Sequence, residues 1–159
     1  MLTLLRNLLR QTTRLMIMPC VIIVGLTSLA PASTNVENPQ IGCLALNIYH
    51  EARGESPQGQ QAVAAVTLNR VQSQKFPSSI CTVVWQPKQF SWTHTQKNYF
   101  PYESDAWKSA LKIANSAISR EVDVAYQNIF YYHSKTVSPY WSKSKRFVAR
   151  VGDHLFYSS

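Results

Sequence analysis

One glutamate, Glu51, has the surroundings that acid–base chemistry requires. Four residues fall at i, i+4, i+7 and i+8 and so share one face of a predicted helix: Leu44, Ile48, Glu51 and Ala52. The carboxyl group therefore lies on an apolar face, in the last turn before Gly54. Burial raises the pKa of a carboxyl group because it disfavours the charged form, and a carboxyl that keeps its proton near neutral pH can act as a general acid.

Two other interpretations stay open for this region. Glu51 could instead be a solvated residue or the ion-pair partner of Arg53 or Arg70. Glu55 is the only other acidic residue close by, and it directly precedes Ser56. At that position an acidic side chain stabilises the following helix through its dipole. We therefore expect a structural role for Glu55, with substrate contact as the alternative.

Two helices must position these carboxylates. The first covers Leu44–Ala52. The second begins with Ser56 as N-cap and Pro57 at its first position, and it runs to Gln74, before Phe76 and a proline. Because apolar residues occur on almost every side of this second helix, we expect it at the centre of the domain.

The rest of the chain predicts a third helix and a small sheet. Ser104 is expected to cap the helix, and its buried stripe has helical spacing: Trp107, Ala110, Leu111, Ala114, Ala117 and Ile118. Residues 79–85 are either a helical turn or a strand. A strand over 128–133 precedes a hairpin, 146–151 and 154–157, around Gly152-Asp153. The fold class is therefore α+β, mainly helical, with a small C-terminal antiparallel sheet.

The N-terminus has the features of an export signal. Three arginines (Arg6, Arg10 and Arg14) precede an apolar run that ends at Ala30-Pro31-Ala32, an A-x-A-like cleavage site. We predict residues 1–32 as a signal peptide or an uncleaved anchor, 33–41 as a polar linker, and 42–159 as one catalytic domain. The chain of 159 residues, 45% of them hydrophobic, suits a single domain.

The net charge of the chain indicates the kind of partner that it can bind. The formal net charge of +8 falls to a modest positive value without the three N-terminal arginines, which suits a polyanion such as the cell wall, although nucleic acid would need the same sign. The cluster Lys143, Lys145 and Arg146 is either a solvated loop or a substrate contact.

Cys43 and Cys81 are the only cysteines outside the signal, and an even pair in an exported chain predicts a disulfide.

Residues 86–101 are rich in aromatic, amide and hydroxyl side chains, a composition that suits sugar binding. The candidate substrate contacts there are Gln89, Phe90, Ser91 and Trp92. For Phe90 and Trp92, a role as core anchors is the alternative.

Other chemistries fit less well. His50-Glu51 begins like the zinc motif H-E-x-x-H, but position 54 is glycine, so we expect no metal and no cofactor. Cys43 could be a peptidase nucleophile with His133 or His154 as base, but its pairing with Cys81 is favoured. Ser91 lacks the G-x-S-x-G context of a hydrolase nucleophile. A wall-binding module without catalysis would keep the aromatic loop but would not need a glutamate on an apolar face.

The stretch YHEARGESPQGQQAVAAVTLNRV, followed by FPSSICTVVWQPKQFSW, resembles the cell-wall hydrolase family of the spore-cortex-lytic type (SleB/CwlJ-like). The likeness continues through NIFYYH, SPYW and VARVGDHLFY, and so covers roughly residues 42–157. It implies a fold related to lysozymes and lytic transglycosylases, action on peptidoglycan glycan strands, and Glu51 as the catalytic acid. Tyr132, His133 and Trp141 match family motif positions and are expected to line the cleft, with packing as the alternative for Tyr132 and Trp141.

One acid and no nucleophile suits a lytic transglycosylase, since ordinary glycosidases pair an acid with a second carboxyl group about 5 to 9.5 Å away. We therefore expect cleavage between N-acetylmuramic acid and N-acetylglucosamine. An N-acetylmuramoyl-L-alanine amidase and a hydrolytic muramidase remain alternatives. The expected protein is an exported monomer that binds glycan strands, binds no nucleic acid, and meets the membrane only through its N-terminal segment.

Overall fold

The computed structural model describes residues 38–120 and 122–159. The helices in these ranges are α1 (Pro39–Ala52), α2 (Pro57–Gln72), α3 (Ile80–Val84), α4 (Trp92–Thr95) and α5 (Ser104–Ser119). The strands are β1 (Tyr131–Ser134), β2 (Phe147–Val151) and β3 (His154–Tyr157), and 3-10 turns cover Val124–Tyr126 and Tyr140–Ser144. The predicted export segment, residues 1–32, and residues 33–37 of the predicted linker lie outside the described residues. In the described part of the chain, no helix is both long and apolar enough to cross a membrane.

The helix that carries Glu51 begins earlier than predicted. Asn38 caps α1, its side chain accepting a hydrogen bond from the Gln40 amide at 3.0 Å, and Pro39 occupies the first turn. Residues 39–41, which we assigned to the linker, therefore form the start of this helix. The prediction for α2 is confirmed: Ser56 accepts a hydrogen bond from the Gly59 amide at 3.2 Å, and the helix ends two residues earlier than expected.

Four local predictions need correction or completion. Residues 79–85, for which two structures were open, form the short helix α3. The aromatic segment contains α4 rather than being loop throughout, and Glu103, not Ser104, is the N-cap residue of α5. The strand expected from residue 128 begins only at Tyr131, because Asn128 has φ +63°, which an extended strand does not accommodate.

The sheet is antiparallel with strand order β1-β3-β2. The turn between β2 and β3 places Gly152 at φ +57°, as a two-residue hairpin with glycine first requires. Tyr132 lies opposite Phe156, and both pack toward the helices, whereas Tyr131 and Tyr157 are paired on the other face. The sheet therefore has an inner face against α2 and an outer face.

Helix α2 lies at the centre, as predicted. Its residues 62–67 are all buried, and they contact apolar side chains from α1 on one side and from β3 on the other. A disulfide joins Cys43 of α1 to Cys81 of α3, with 5.2 Å between the Cα atoms. The structure thus contains the predicted pair, and the disulfide links the Glu51 helix to the helix after α2.

Candidate active site

Glu51 and Tyr132 meet where the end of α1 reaches the inner face of the sheet. The Tyr132 hydroxyl donates a hydrogen bond of 3.0 Å to Glu51 Oε2. Both side chains are partly buried, and the neighbouring Ile48 and Ala52 of α1 are almost inaccessible to water. The apolar helix face expected from the residue spacing therefore exists, with one polar group directed at the carboxyl.

Burial raises the pKa of Glu51, and this effect outweighs two that lower it, the Tyr132 hydrogen bond and the charge of Arg70. Burial, together with the neighbouring Glu51 charge, also raises the pKa of Tyr132 well above its ordinary value. Tyr132 therefore remains a neutral hydrogen-bond donor. A carboxyl group in this environment can hold a proton and release it to a substrate.

Arg70 lies near the candidate site, although the sequence suggested it only as an ion-pair partner of Glu51. It is only 4% exposed, its Nε donates to the Phe130 carbonyl at 2.8 Å, and its guanidinium lies 5.4 Å from the Phe90 ring centroid. Among the described residues, no basic side chain lies within 4 Å of the Glu51 carboxylate, so the ion pair considered for Glu51 is not formed. One feature of the sequence does distinguish Arg70: it is the one charged residue in helix α2, which is otherwise uncharged.

Glu55 contacts the hairpin turn instead. Both of its carboxylate oxygens accept from the Asp153 amide, at 3.2 and 3.3 Å, and Oε1 lies 3.5 Å from His154 Nδ1. A Cβ atom at Gly152 would overlap Glu55 Oε2, so a larger residue there would require the Glu55 carboxylate to move. These contacts favour the structural interpretation of Glu55 over substrate contact.

Phe90 and Trp92 are core residues, which favours the core-anchor interpretation over substrate contact. They are 2% and 3% exposed. Trp92 Nε1 donates to Asn47 Oδ1 at 3.1 Å, and Asn47 in turn donates to Thr67 at 3.2 Å, so the indole is held inside the domain by a buried polar chain.

The neighbouring candidates in this segment keep some contact with water. Gln89 is partly buried and Ser91 is exposed. Within residues 38–120 and 122–159, no hydrogen bond joins either side chain to Glu51.

The remaining two candidates lie on the outer face of the sheet. His133 follows Tyr132 in β1 and so points to the opposite side. Its Nε2 is 2.9 Å from the Tyr157 hydroxyl, and its ring centroid is 5.5 Å from that of Trp141. His133 and Trp141 are thus brought together, but not beside Glu51.

The sequence of residues 54–157 matches the model of a family described as Cell Wall Hydrolase. The chain belongs to this cell wall hydrolase family. Curated relatives named spore cortex-lytic enzyme are 32% identical over 119 residues in Bacillus subtilis (strain 168) and 32% identical over 127 residues in Bacillus cereus (strain ATCC 14579). These alignments cover 75% and 77% of this chain but only 37% and 47% of the relatives, so this cell wall hydrolase spans less than half of their length.

Solved structures similar to this cell wall hydrolase are catalytic domains. The catalytic domain of the germination-specific lytic transglycosylase SleB from Bacillus anthracis has a TM-score of 0.65 and 30% identity, over 79% of this chain and 98% of that domain. The catalytic domain of Bacillus cereus SleB has a TM-score of 0.59 and 29% identity, over 75% and 89%. The predicted fold class is therefore confirmed.

This cell wall hydrolase also has a cavity away from Glu51. It has a volume of about 310 Å³, lies between α2 and α5, and is bordered by Leu68, Ile113, Arg120 and Tyr126 among others. None of the predicted site residues lines it. The cavity and the candidate site at Glu51 therefore have no lining residue in common.

Proposed function

We propose that this chain cleaves peptidoglycan between N-acetylmuramic acid and N-acetylglucosamine, as a lytic transglycosylase with Glu51 as its single catalytic carboxyl group. The observation that carries the proposal is the environment of Glu51: a buried carboxyl of raised pKa whose only hydrogen bond, among the described residues, comes from the neutral Tyr132 hydroxyl. The similarity to a solved lytic transglycosylase domain supports the reaction class.

The contacts of the other carboxylates support a mechanism that uses a single catalytic carboxyl group. Each carboxylate in the described ranges, apart from Glu51, has a structural partner: Glu55 with the Asp153 amide, Glu103 with Arg53, Asp105 with Lys108, Asp123 with the Ala125 amide, and Asp153 with Lys135. Hydrolytic glycosidases need a second carboxyl group as nucleophile or to activate water. A reaction that uses a hydroxyl of the substrate as nucleophile has no such need.

In the first step, Glu51 gives its proton to the glycosidic oxygen. The bond between that oxygen and C1 of N-acetylmuramic acid breaks, and the N-acetylglucosamine unit leaves with a hydroxyl group. Since Tyr132 donates to Oε2, Oε1 is the oxygen that carries the transferred proton. The positive charge of Arg70, held inside the domain, stabilises the carboxylate that this step creates.

In the second step, the Glu51 carboxylate takes the proton of the 6-hydroxyl group of the same muramic acid. The O6 atom forms a bond to C1, which closes a 1,6-anhydro ring. Glu51 is then protonated again, so one group serves as acid and base and no water is consumed.

The site of action that we propose is the cell envelope, after export. The Cys43–Cys81 disulfide supports this location because such bonds persist in oxidising compartments. The N-terminal arginines and the apolar run that follows them support an export signal, either cleaved or kept as an anchor. We further propose that the protein acts as a monomer and without a cofactor.

Mass spectrometry of the products from purified peptidoglycan tests the proposed reaction. We expect 1,6-anhydro muropeptides, each lighter by one water than the hydrolytic product, and a rate of release that is lower by about 10²-fold or more in Glu51→Gln. Reducing muramic acid ends would contradict the transglycosylase and indicate a hydrolytic muramidase. Free stem peptides would indicate an amidase.

A further inference from the structure

The outer side of the sheet and the adjoining turn Tyr140–Ser144 form what we call the aromatic–basic face. Trp141 lies at its centre, with ring centroids 5.7 Å from Tyr131, 5.5 Å from His133 and 5.6 Å from Tyr157. Three rings on two strands thus fix the position of the Trp141 indole. Strand alternation places this face on the opposite side of the sheet from Tyr132.

Large apolar side chains at this face are open to solvent. Tyr140 is 88% exposed and Phe147 is 52% exposed, and the Phe147 ring packs 5.8 Å from that of Tyr157. Exposed aromatic residues that continue into an ordered cluster are typical of binding surfaces. Their rings offer flat apolar surface of the kind that packs against sugar rings.

Basic side chains surround these rings. Lys145 Nζ lies 4.4 Å from the Tyr131 ring centroid, and Lys143 Nζ lies 6.0 Å from that of Tyr140. Within the part of the chain that the structure describes, four cations of this region have no carboxylate within 4 Å: Lys143, Lys145, Arg146 and Arg150. Their charges are therefore available to an anionic partner.

The positive charge of the domain is concentrated in this region. Residues 127–159 contain five basic side chains and one acidic one, whereas residues 38–126 contain eight basic and six acidic side chains. The one acidic residue, Asp153, is paired with Lys135 at 2.6 Å. The C-terminal part of the domain thus attracts anions more strongly than the helical part.

We propose that the aromatic–basic face binds a peptidoglycan strand through its stem peptides, with the lysines pairing with peptide carboxylates and the aromatic rings contacting sugar faces. This inference rests on the proposed function, which supplies peptidoglycan as the partner. It adds a second contact region, on the other side of the sheet from Glu51, that holds the enzyme on the polymer. The chemistry recognised is a row of carboxylates on a glycan.

Binding to purified peptidoglycan sacculi tests the proposal. The background is Glu51→Gln, so that the polymer is not consumed, and the readout is the bound fraction in a pull-down across a range of salt concentrations. The test variant adds Lys143→Gln and Lys145→Gln. The matched control adds Lys108→Gln and Lys112→Gln on α5, which removes the same charge elsewhere.

We expect the Lys143/Lys145 variant to bind about three- to tenfold more weakly and with a smaller dependence on salt, while the control pair changes binding by less than about twofold. Sacculi whose carboxyl groups have been converted to amides by a carbodiimide and a neutral amine should bind the parent as weakly as native sacculi bind the variant. Tyr140→Ser, at a side chain that is almost fully exposed, should weaken binding without lowering the melting temperature.

Equal binding by the test and control pairs, or binding that amidation leaves unchanged, would overturn the proposal. So would duplex DNA binding that depends on Lys143 and Lys145 while sacculus binding does not, because that result would assign the face to nucleic acid. The melting temperatures of both pairs are measured to exclude unfolding as the cause. Products without an anhydro ring would refute the proposed reaction but would leave the lysine-dependent binding of the inactive form unaffected.

Discussion

Glu51 and Glu55 lie four residues apart, and each reaches the C-terminal sheet at a different place. On a continuous helix, residues at this spacing would be neighbours on one face. Because α1 ends at Ala52, Glu55 instead points at the β2–β3 turn, where its carboxylate accepts the Asp153 amide. Glu51, in contrast, accepts a hydrogen bond from the Tyr132 hydroxyl, the single hydrogen bond of its side chain within the described part of the chain.

The comparison shows that the fold places two chemically identical carboxyl groups in different environments. The Glu55 carboxylate accepts a hydrogen bond from the Asp153 amide and lies beside the His154 imidazole, so its contacts suit it to positioning the hairpin turn. Burial of Glu51 favours the protonated form, which is the state that a general acid needs. The predictions that follow separate loss of activity from loss of stability.

The largest effect is expected from Glu51→Gln. Glutamine keeps the shape of the side chain but cannot supply a proton, so the rate should fall by about 10²–10⁴-fold. The melting temperature should stay equal or rise, since the variant no longer buries an ionisable group. Kinetics on peptidoglycan and calorimetry check this, and a folded Glu51→Gln protein with full activity would remove Glu51 from the mechanism.

Gly152→Ala should destabilise the Glu55 region by about 2–3 kcal/mol. Alanine is disfavoured at φ +57°, and its Cβ would overlap Glu55 Oε2. Gly42→Ala is the matched control, because nothing lies near that position inside α1 and alanine should stabilise the helix slightly. Chemical unfolding of both variants measures the difference, and a Gly152→Ala protein as stable as the control would disprove the close approach.

Glu55→Gln should lower the free energy of unfolding by about 1–2 kcal/mol, because it replaces a charge-assisted hydrogen bond by a neutral one. When equal amounts of folded protein are compared, the activity of Glu55→Gln should stay within about threefold of the wild type. If instead activity fell as far as in Glu51→Gln while stability was unchanged, Glu55 would be a second catalytic carboxylate and the mechanism would be hydrolytic.

Tyr132→Phe should reduce kcat/KM by about tenfold or less, since it removes one hydrogen bond from the reactive carboxyl. That hydrogen bond lowers the pKa of Glu51, so its removal should raise the pKa further. Activity that depends on protonated Glu51 should then extend to higher pH than in the wild type. A pH–rate profile decides, and an unchanged alkaline limb would show that Tyr132 only packs against α1.

The smallest effect concerns pH and stability. Burial lowers the pKa of His154 below its ordinary value of 6.5, although Glu55 acts in the opposite direction. The unfolded chain therefore binds more protons, so the stability contributed by neutral His154 is present above about pH 6.5 and is lost as the pH falls through the lower folded value. His154→Gln should reduce this loss by under about 1 kcal/mol in unfolding curves between pH 7 and 5, and an unchanged pH dependence would contradict the shift.

Local patterns predicted the elements around both glutamates. The helical spacing that contains Glu51, the cap at Ser56 and the glycine-first turn at Gly152 each depend on residues close together in the chain. The start of α1 was missed even though Asn38 and Pro39 carry the usual signals, because the polar composition before them favoured a linker.

Side-chain surroundings were harder to predict, because they depend on residues distant in sequence. Nothing near Glu51 in the chain indicates that Tyr132 supplies its hydrogen bond. Phe90 and Trp92 lie in a segment whose composition suits sugar binding. The Asn47 amide oxygen, however, accepts the Trp92 indole N–H inside the core, so the indole needs no contact with solvent. Aromatic residues with a polar atom fit both environments, and only tertiary packing distinguishes them.

The contact between Glu51 and Tyr132 joins residues 81 positions apart, and that between Glu55 and Asp153 joins residues 98 positions apart. A nascent chain that has completed all five described helices still lacks the strands that cover both carboxylates. Glu51 would then be a hydrated side chain with an ordinary acidity. Residues 131–159, which contain the three strands, therefore complete the environment of Glu51, so a fragment that ends before β1 should form helices without acquiring a carboxyl group of raised pKa.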